Sequence, residues 1–479
     1  MPTENTSKYA NAILFLFGSA LLVFLHAFGL GEIPGLHFDE AWAMNHAFRI
    51  SEGEFTLQAM SPYTAPWAHY WAAIWMKLFG PSVLVFRASQ VFLSLAGAGL
   101  LALALHQSGR RTAAALLPLT LALLPGLVLN QRFAIELTGF HAFCFGLFAY
   151  SLVRGWALLA VAAWVAGTTG HILFYGLGLA VIAAAIWEGR EFTRRERLVS
   201  TLGCFLLALF FFRVFLMIPE KGKAGALVAS ALAAGTLLSI GAEKWKFWRR
   251  HWLEGVVLYL ALVFLFNAFV FLDGFWQHSV TTGREGWKGG RMVSIALFFP
   301  FVLWLTQRGS RDTPRWLRRA FLLLVILLGL MMLKPAPRYF EILLLALGVF
   351  AAQGLARLPF LGRMAALVFL LLHGTLLYAE YFTTTPKEAS LRFLFFKDSS
   401  RDFLSKQELA SVLGGSGCAL SDIQAVDSRV NEALTAISRA DWQVAPGGCR
   451  FKNLQVERRA ESGRAGTKEE VADFVIWEK

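Results

Sequence analysis

The chain has 479 residues, of which 56% are hydrophobic and 16% charged, and its mean hydropathy is +0.54. That balance excludes a soluble multidomain protein and leaves a polytopic membrane protein. The net charge of +13 does not point to nucleic acid: residues 381–479 hold fourteen Lys/Arg and fourteen Asp/Glu, so the whole excess lies in residues 1–380, in loops where positive charge is an orientation signal.

The first apolar run, 12–30, has Lys8 as its sole nearby cation and no small-x-small cleavage site after it, so it reads as a retained spanning helix. A polar island follows at once, Gly35-Leu36-His37-Phe38-Asp39-Glu40-Ala41-Trp42. Residues Glu40 to Ile50 read as a short amphipathic helix carrying Trp42, Phe48, Asn45, His46 and Arg49, which puts Asp39 where an N-cap would sit. Tyr63-Thr64-Ala65-Pro66-Trp67-Ala68-His69-Tyr70-Trp71 opens an apolar stretch ending in Leu78-Phe79-Gly80. At about fourteen residues that stretch is short for a span and suits an interfacial or re-entrant helix. The outer loop therefore covers 31–83.

Further apolar segments fall near 84–105, 112–129, 137–153, 156–170, 172–188, 198–218, 224–242, 252–272, 291–306, 320–333, 339–356 and 364–380. With the first helix they predict about thirteen spans. An N-terminus in the cytoplasm gives the inner loops 18 Lys/Arg, against 8 for the outer pieces after the first loop, as the positive-inside rule requires. Odd parity then places residues 381–479 outside, as a small α+β module with helices near 401–413 and 427–439 and strands near Cys418, at 449–458 and at 472–477. Asn5 heads the one Asn-x-Ser/Thr sequon, before the first segment, so nothing marks a glycosylated lumen, and a bacterial inner membrane is the expected location. Cys144 and Cys204 lie inside apolar segments as small hydrophobes.

Cys418 and Cys449 stand in the outer module, each beside a predicted strand start after a Gly pair, and in an oxidising compartment they are expected to form a disulfide. Closing a loop of about thirty residues should stabilise the module by about 3–4 kcal/mol. Non-reducing mass spectrometry checks the pairing, and two free thiols would sink it together with the assigned side of the module.

The outer side of this topology collects ionisable groups that are costly in a bilayer. They are Asp39 and Glu40, Arg132 and Glu136 in a short loop, Arg213 near an outer helix end, and Lys334, Arg338 and Glu341 in Lys334-Pro335-Ala336-Pro337-Arg338-Tyr339-Phe340-Glu341. Taken singly, each has the alternative of snorkelling or an interfacial ion pair.

The ordered set Asp39-Glu40, Leu78-Phe79-Gly80, Arg87, Glu136 and Arg338-Tyr339 resembles the GT-C glycosyltransferases. Within them it is most similar to the branch holding the bacterial lipid A aminoarabinose transferases and the protein O-mannosyltransferases. The resemblance implies a GT-C-like transmembrane domain over residues 1–380, a periplasmic domain over 381–479, and transfer of a sugar from a polyprenyl-phosphate donor to a lipid, glycan or protein acceptor. It implies site roles for Asp39-Glu40, Glu136 and Arg338-Tyr339; the transfer chemistry itself makes Asp39 the catalytic base with Glu136 beside it, and adds Arg213 and Lys334 to Glu40, Arg338 and Tyr339 as substrate contacts. One departure stands out: the aminoarabinose branch often carries an acidic-Lys pair before the Pro step, where this chain has Thr64-Ala65-Pro66-Trp67. A phosphate contact and a metal ligand are thereby missing, which counts against that particular sugar. His278 falls near the family's outer-loop histidine that can bind a divalent ion; the alternative for it is a plain loop histidine. A divalent metal is the one cofactor the resemblance admits.

The chemistry accounts for these residue types. A leaving lipid phosphate gathers negative charge that Arg forks neutralise. An acceptor attacking from the opposite face needs one base, so a retaining pair is unnecessary. No Gly-x-Gly-x-x-Gly appears, consistent with a donor that is not a nucleotide. Two rival readings compete with an inverting transferase. A transporter or lipid flippase would spread charges through the membrane depth and repeat its broken helices. A scaffold acting through the C-terminal module would make Asp39 dispensable.

Overall fold

The computed structural model describes residues 4–31, 38–57, 64–132, 134, 138–217, 223–240, 253–265, 299–311, 313–331, 337–383, 413, 423–425, 454–458, 468–471 and 474–478. The chain is a bundle of helices: α1 (Glu4–Ala27), α2 (Phe38–Ser51), α3 (Trp67–Phe79), α4 (Val83–Gln107), α5 (Arg111–Ala122), α6 (Pro125–Arg132), α7 (Thr138–Arg154) and α8 (Ala157–Gly170) come first. A short 3₁₀ turn, Ile172–Phe174, leads into α9 (Tyr175–Trp187), followed by α10 (Arg194–Met217) and α11 (Lys223–Ile240). After α12 (Leu253–Leu265) come α13 (Phe299–Ser310), α14 (Arg315–Met331), a 3₁₀ turn Pro337–Phe340, α15 (Glu341–Ala356) and α16 (Phe360–Thr383).

Three described helical stretches are long and apolar enough to cross a membrane alone: Tyr9–Ala27, Val83–Gln107 and Arg194–Met217. A fourth span forms if α5 and α6 are counted together, although they meet at a bend of 66°. The sequence predicts one straight segment there, but Pro125 supplies no N–H to the preceding turn and is suited to a new helix start, so the run breaks after Leu123-Leu124. The other apolar helices among the described residues, such as α8, α9 and α15, are 10–17 residues long. That is short of what a lone span needs, so about thirteen spans is more than helix length by itself supports. The protein is a multi-pass, predominantly helical membrane protein.

Helix backbones approach one another closely at glycines. A β-carbon at Gly97 of α4 would overlap the carbonyl of Ala142 in α7, and one at Gly139 of α7 would overlap the carbonyl of Gln90 in α4. Small residues let membrane helices approach to backbone contact, where dispersion does the holding. Gly80, at φ +85, ends α3 in a conformation that side-chain-bearing residues rarely adopt.

One end of the bundle is basic. Arg110 donates to Gln353 Oε1 at 2.7 Å, Arg319 pairs with Glu188 at 2.7 Å and lies 4.1 Å above the Trp187 ring, and Arg190 pairs with Glu196 at 3.1 Å. Arg363 donates to the carbonyls of Leu355, Ala356 and Leu358 at the end of α15, the placement favoured at a helix C-terminus. The opposite ends of α1, α4, α6, α7, α8 and α15 gather the site described below.

Beyond the bundle the described residues include a four-stranded sheet in the order β1-β2-β4-β3: β1 (Ile423–Ala425), β2 (Leu454–Arg458), β3 (Lys468–Val471) and β4 (Phe474–Glu478). β2 and β4 pair antiparallel, with Val456 opposite Ile476, at two of the predicted strand places. β3 was not predicted: Lys468-Glu469-Glu470-Val471 has little strand propensity and suits a charged edge. Cys418, Cys449 and both predicted helices of this region lie outside the described residues, apart from the helical position Leu413.

Candidate active site

The polar island becomes α2, and Asp39 lies in its first turn. An amphipathic surface helix is expected here, yet from Glu40 to Ile50 only Arg49 is exposed. The cause is Glu40. Arg87, at the start of α4, grips its carboxylate with both arms of a fork, Nε to Oε1 at 2.7 Å and Nη2 to Oε2 at 2.8 Å, while Nη1 donates to Leu30 O at 2.9 Å. The backbone N–H of Ala134 adds a contact to Oε1 at 3.2 Å. Both side chains are fully buried. Expected as a substrate contact, Glu40 is instead occupied by protein donors, and it draws α2 into the bundle. Bidentate geometry and the extra donors are what make a buried ion pair tolerable.

α3 closes over α2. Its inner face, Ala68, His69, Ala72, Ala73 and Met76, is buried, while Leu78 and Phe79 point outward. Ala65 N donates to Thr169 O at 2.7 Å and Trp67 Nε1 to Thr169 Oγ1 at 2.9 Å, which docks the Pro66 step on the end of α8. Trp71 Nε1 reaches Ser89 O of α4 at 2.9 Å. The His69 ring meets the His46 ring edge-on at 4.8 Å. Burial, with the neighbouring His46 second, lowers the His69 pKa to about 3, so the imidazole stays neutral.

On the far wall, Arg132 is buried at the end of α6 and donates to the carbonyls of Leu25 (2.7 Å), His26 (3.1 Å) and Phe28 (2.8 Å). It caps the last turn of α1 rather than snorkelling to the surface. Tyr339, in the turn that also carries Arg338, stacks on His171 with centroids 5.5 Å apart, and His171 meets His141 at 5.8 Å. Gln131 Nε2 donates to Glu341 Oε1 at 2.9 Å.

The structure thus brings the helix of Asp39, the Glu40–Arg87 pair, the Arg132 cap and the Arg338-Tyr339 turn to one end of the bundle. Arg213 is half-buried one turn before the end of α10, with no described contact to that group. Glu136, Lys334 and His278 lie outside the described residues, as do the side chains of Asp39 and Arg338. Among the described residues no three His, Cys, Asp or Glu side chains come together as metal ligands. His26, His69, His141 and His171 are absent from the expected site; a single histidine on an apolar helix carries little signal, and their mutual approach depends on tertiary packing.

No protein-family model matches the chain, and no curated protein matches it. Among solved structures, the Archaeoglobus fulgidus oligosaccharyltransferase tethered with an acceptor peptide containing the NVT sequon is similar at a TM-score of 0.52 and 12% identity, over 90% of this chain and 63% of that one. Its apo form matches at a TM-score of 0.50 and 14% identity, over 84% of this chain and 58% of that one. ArnT from Cupriavidus metallidurans bound to undecaprenyl phosphate matches at 0.44 and 15% identity, over 88% and 74%. The chain spans about three fifths of the length of the oligosaccharyltransferase. At these identities the likeness is one of architecture, and the architecture is the GT-C fold.

Proposed function

We propose that the chain is an inverting glycosyltransferase that moves a sugar from a polyprenyl-phosphate donor to a lipid, glycan or protein acceptor at the periplasmic face of a bacterial inner membrane. The observation that carries this reading is the placement, at one end of the bundle, of the α2 turn bearing Asp39 and the 3₁₀ turn bearing Arg338 and Tyr339, both held by buried polar anchors. Asp39 takes the proton from the acceptor as it attacks the anomeric carbon, and Glu136 orients that acceptor. Arg338, Lys334 and Arg213 neutralise the departing lipid phosphate, with Tyr339 beside them. Glu40 acts one step back, by fixing α2 on Arg87. A peptide acceptor accords with the tethered peptide of the oligosaccharyltransferase.

The test is transfer by the purified full chain supplied with polyprenyl-phosphate sugars and membrane acceptors, together with mass spectrometry of lipid A and envelope glycans with and without the gene. Unchanged glycans and no transfer from any donor would overturn the reading. A transporter or lipid flippase is favoured only by the bent α5–α6 pair, which has no repeat-related counterpart among the described residues.

Sidedness has its own check. Arg311→Cys and Ser416→Cys, each alone in a cysteine-free background, are expected to label with an impermeant maleimide from opposite sides of the membrane. Labelling from the same side would remove the periplasmic placement of residues 381–479.

A further inference from the structure

A buried file of three side chains joins three elements that bear on the site. Gln131 at the end of α6 donates from Nε2 to Glu341 Oε1 at the start of α15 (2.9 Å), and its Oε1 lies 3.0 Å from Nε2 of His26 at the end of α1. His26 Nδ1 lies 2.8 Å from the Leu22 carbonyl oxygen. None of the three is more than 4% exposed, and Glu341 Oε2 has no hydrogen-bond partner among the described residues.

This geometry fixes a proton count. A backbone carbonyl only accepts, so His26 Nδ1 carries a hydrogen. With the Gln131 amide in the orientation above, Oε1 also accepts, so His26 Nε2 carries a second hydrogen. The ring is then an imidazolium, and a carboxylate at Glu341, which accepts from the amide through Oε1, is what balances its charge. Turning the amide over gives the other solution: Gln131 Nε2 donates to a bare His26 Nε2, and Oε1 accepts from a protonated Glu341. Both arrangements hold the same number of protons and are neutral in sum; they differ by one proton, on the ring nitrogen or on the carboxyl oxygen. A single uncompensated charge at this depth would be costly, whereas a neutral trio is not. Arg132, the neighbour of Gln131, sends Nη1 and Nη2 to the backbone carbonyls of Leu25, His26 and Phe28 and is the charged group beside the file.

We infer that Glu341 is a positioning residue for sugar transfer, and that His26, Gln131 and Glu341 share one proton in a neutral file that locks the end of α1, which leads to Asp39, to the start of α15, which follows Arg338. The part played in transfer rests on the glycosyltransferase reading; the shared proton does not.

The test uses the full chain in lipid nanodiscs. Nitrogen NMR of labelled histidine reads the His26 ring, assigned by its loss in His26→Asn, and infrared difference spectra against Glu341→Gln read the carboxyl. The expected result is a matched pair of states: neutral ring with protonated carboxyl, or imidazolium with carboxylate. A neutral ring beside a carboxylate, or an imidazolium beside a protonated carboxyl, overturns the shared proton. In the transfer assay Glu341→Gln and His26→Asn should each lower kcat about tenfold with little change in acceptor KM, and the double variant should be no slower than the slower single one. Multiplying losses, or a rise in KM alone, would overturn the positioning role. If the wild-type chain transfers nothing, the glycosyltransferase reading fails, while the spectra still decide the proton.

Discussion

Asp39→Asn is expected to abolish sugar transfer while leaving the protein folded and inserted. The helix starts at Phe38, so Asp39 sits in the first turn of α2, close behind the end of α1. A carboxylate in a first turn interacts favourably with the helix dipole, worth about 0.3–1 kcal/mol, and asparagine forfeits only that. If capping or the dipole were its whole purpose, the variant would be slightly less stable and fully active. Removal of a general base predicts a rate loss of about 10²–10⁴-fold, or about 3–5 kcal/mol of barrier. The two outcomes differ by orders of magnitude in one assay with purified protein, polyprenyl-phosphate sugar and acceptor. Retention of more than about a tenth of wild-type transfer would remove the base assignment. Arg338→Ala is the companion: loss of a leaving-group contact should impair use of the donor and spare binding of the acceptor.

Glu40→Leu is expected to cost more in stability than any substitution at the reacting groups. It leaves the Arg87 guanidinium buried with its fork empty, and breaking one half of such a pair costs about 3–5 kcal/mol. The Ala134 N–H loses its acceptor as well. Glu40→Leu combined with Arg87→Met removes both charges, and pairs replaced together by apolar groups are often neutral in stability. Thermal unfolding of the three proteins in the same detergent should therefore give a large loss for the single variant and substantial recovery for the double one. Equal losses in both would mean that Arg87 is held by contacts other than Glu40. The double variant is a useful probe of function too, since it retains Asp39 on a helix no longer tethered by charge.

The sequence made the helical membrane class and the positions of α2, α3 and α4 legible, because each has a local cause: a polar island after an apolar run, a Pro step before aromatic residues, and a Gly that stops α3. The pairing of Arg87 with Glu40 was not legible. Asp39 and Glu40 are adjacent acids with the same intrinsic chemistry, and that Glu40 is the buried anchor is decided by a guanidinium 47 residues away. Arg132 had the same ambiguity, settled by carbonyls at the end of α1. The α5–α6 break had a visible signal in Pro125, but the apolar run around it masked the change in direction. The histidine contacts had none, since each ring lies on a different element and only packing brings His46 to His69 or His141 to His171.

The bond between Gln131 and Glu341 spans 210 residues of sequence, and that between Arg110 and Gln353 spans 243. During synthesis α6 therefore enters the membrane long before α15 exists. At translation rates of about 5–20 residues per second the interval is about 10–40 s. Through that time the Gln131 amide has no Glu341 to receive its hydrogen bond and Arg110 has no Gln353. Helices α1 to α9 can insert in order, but the ribosome must deliver the fifteenth helix before the two ends of the early bundle are closed. A nascent chain halted before residue 338 would carry Asp39, Glu40 and Arg87 without the Arg338–Glu341 side of the site.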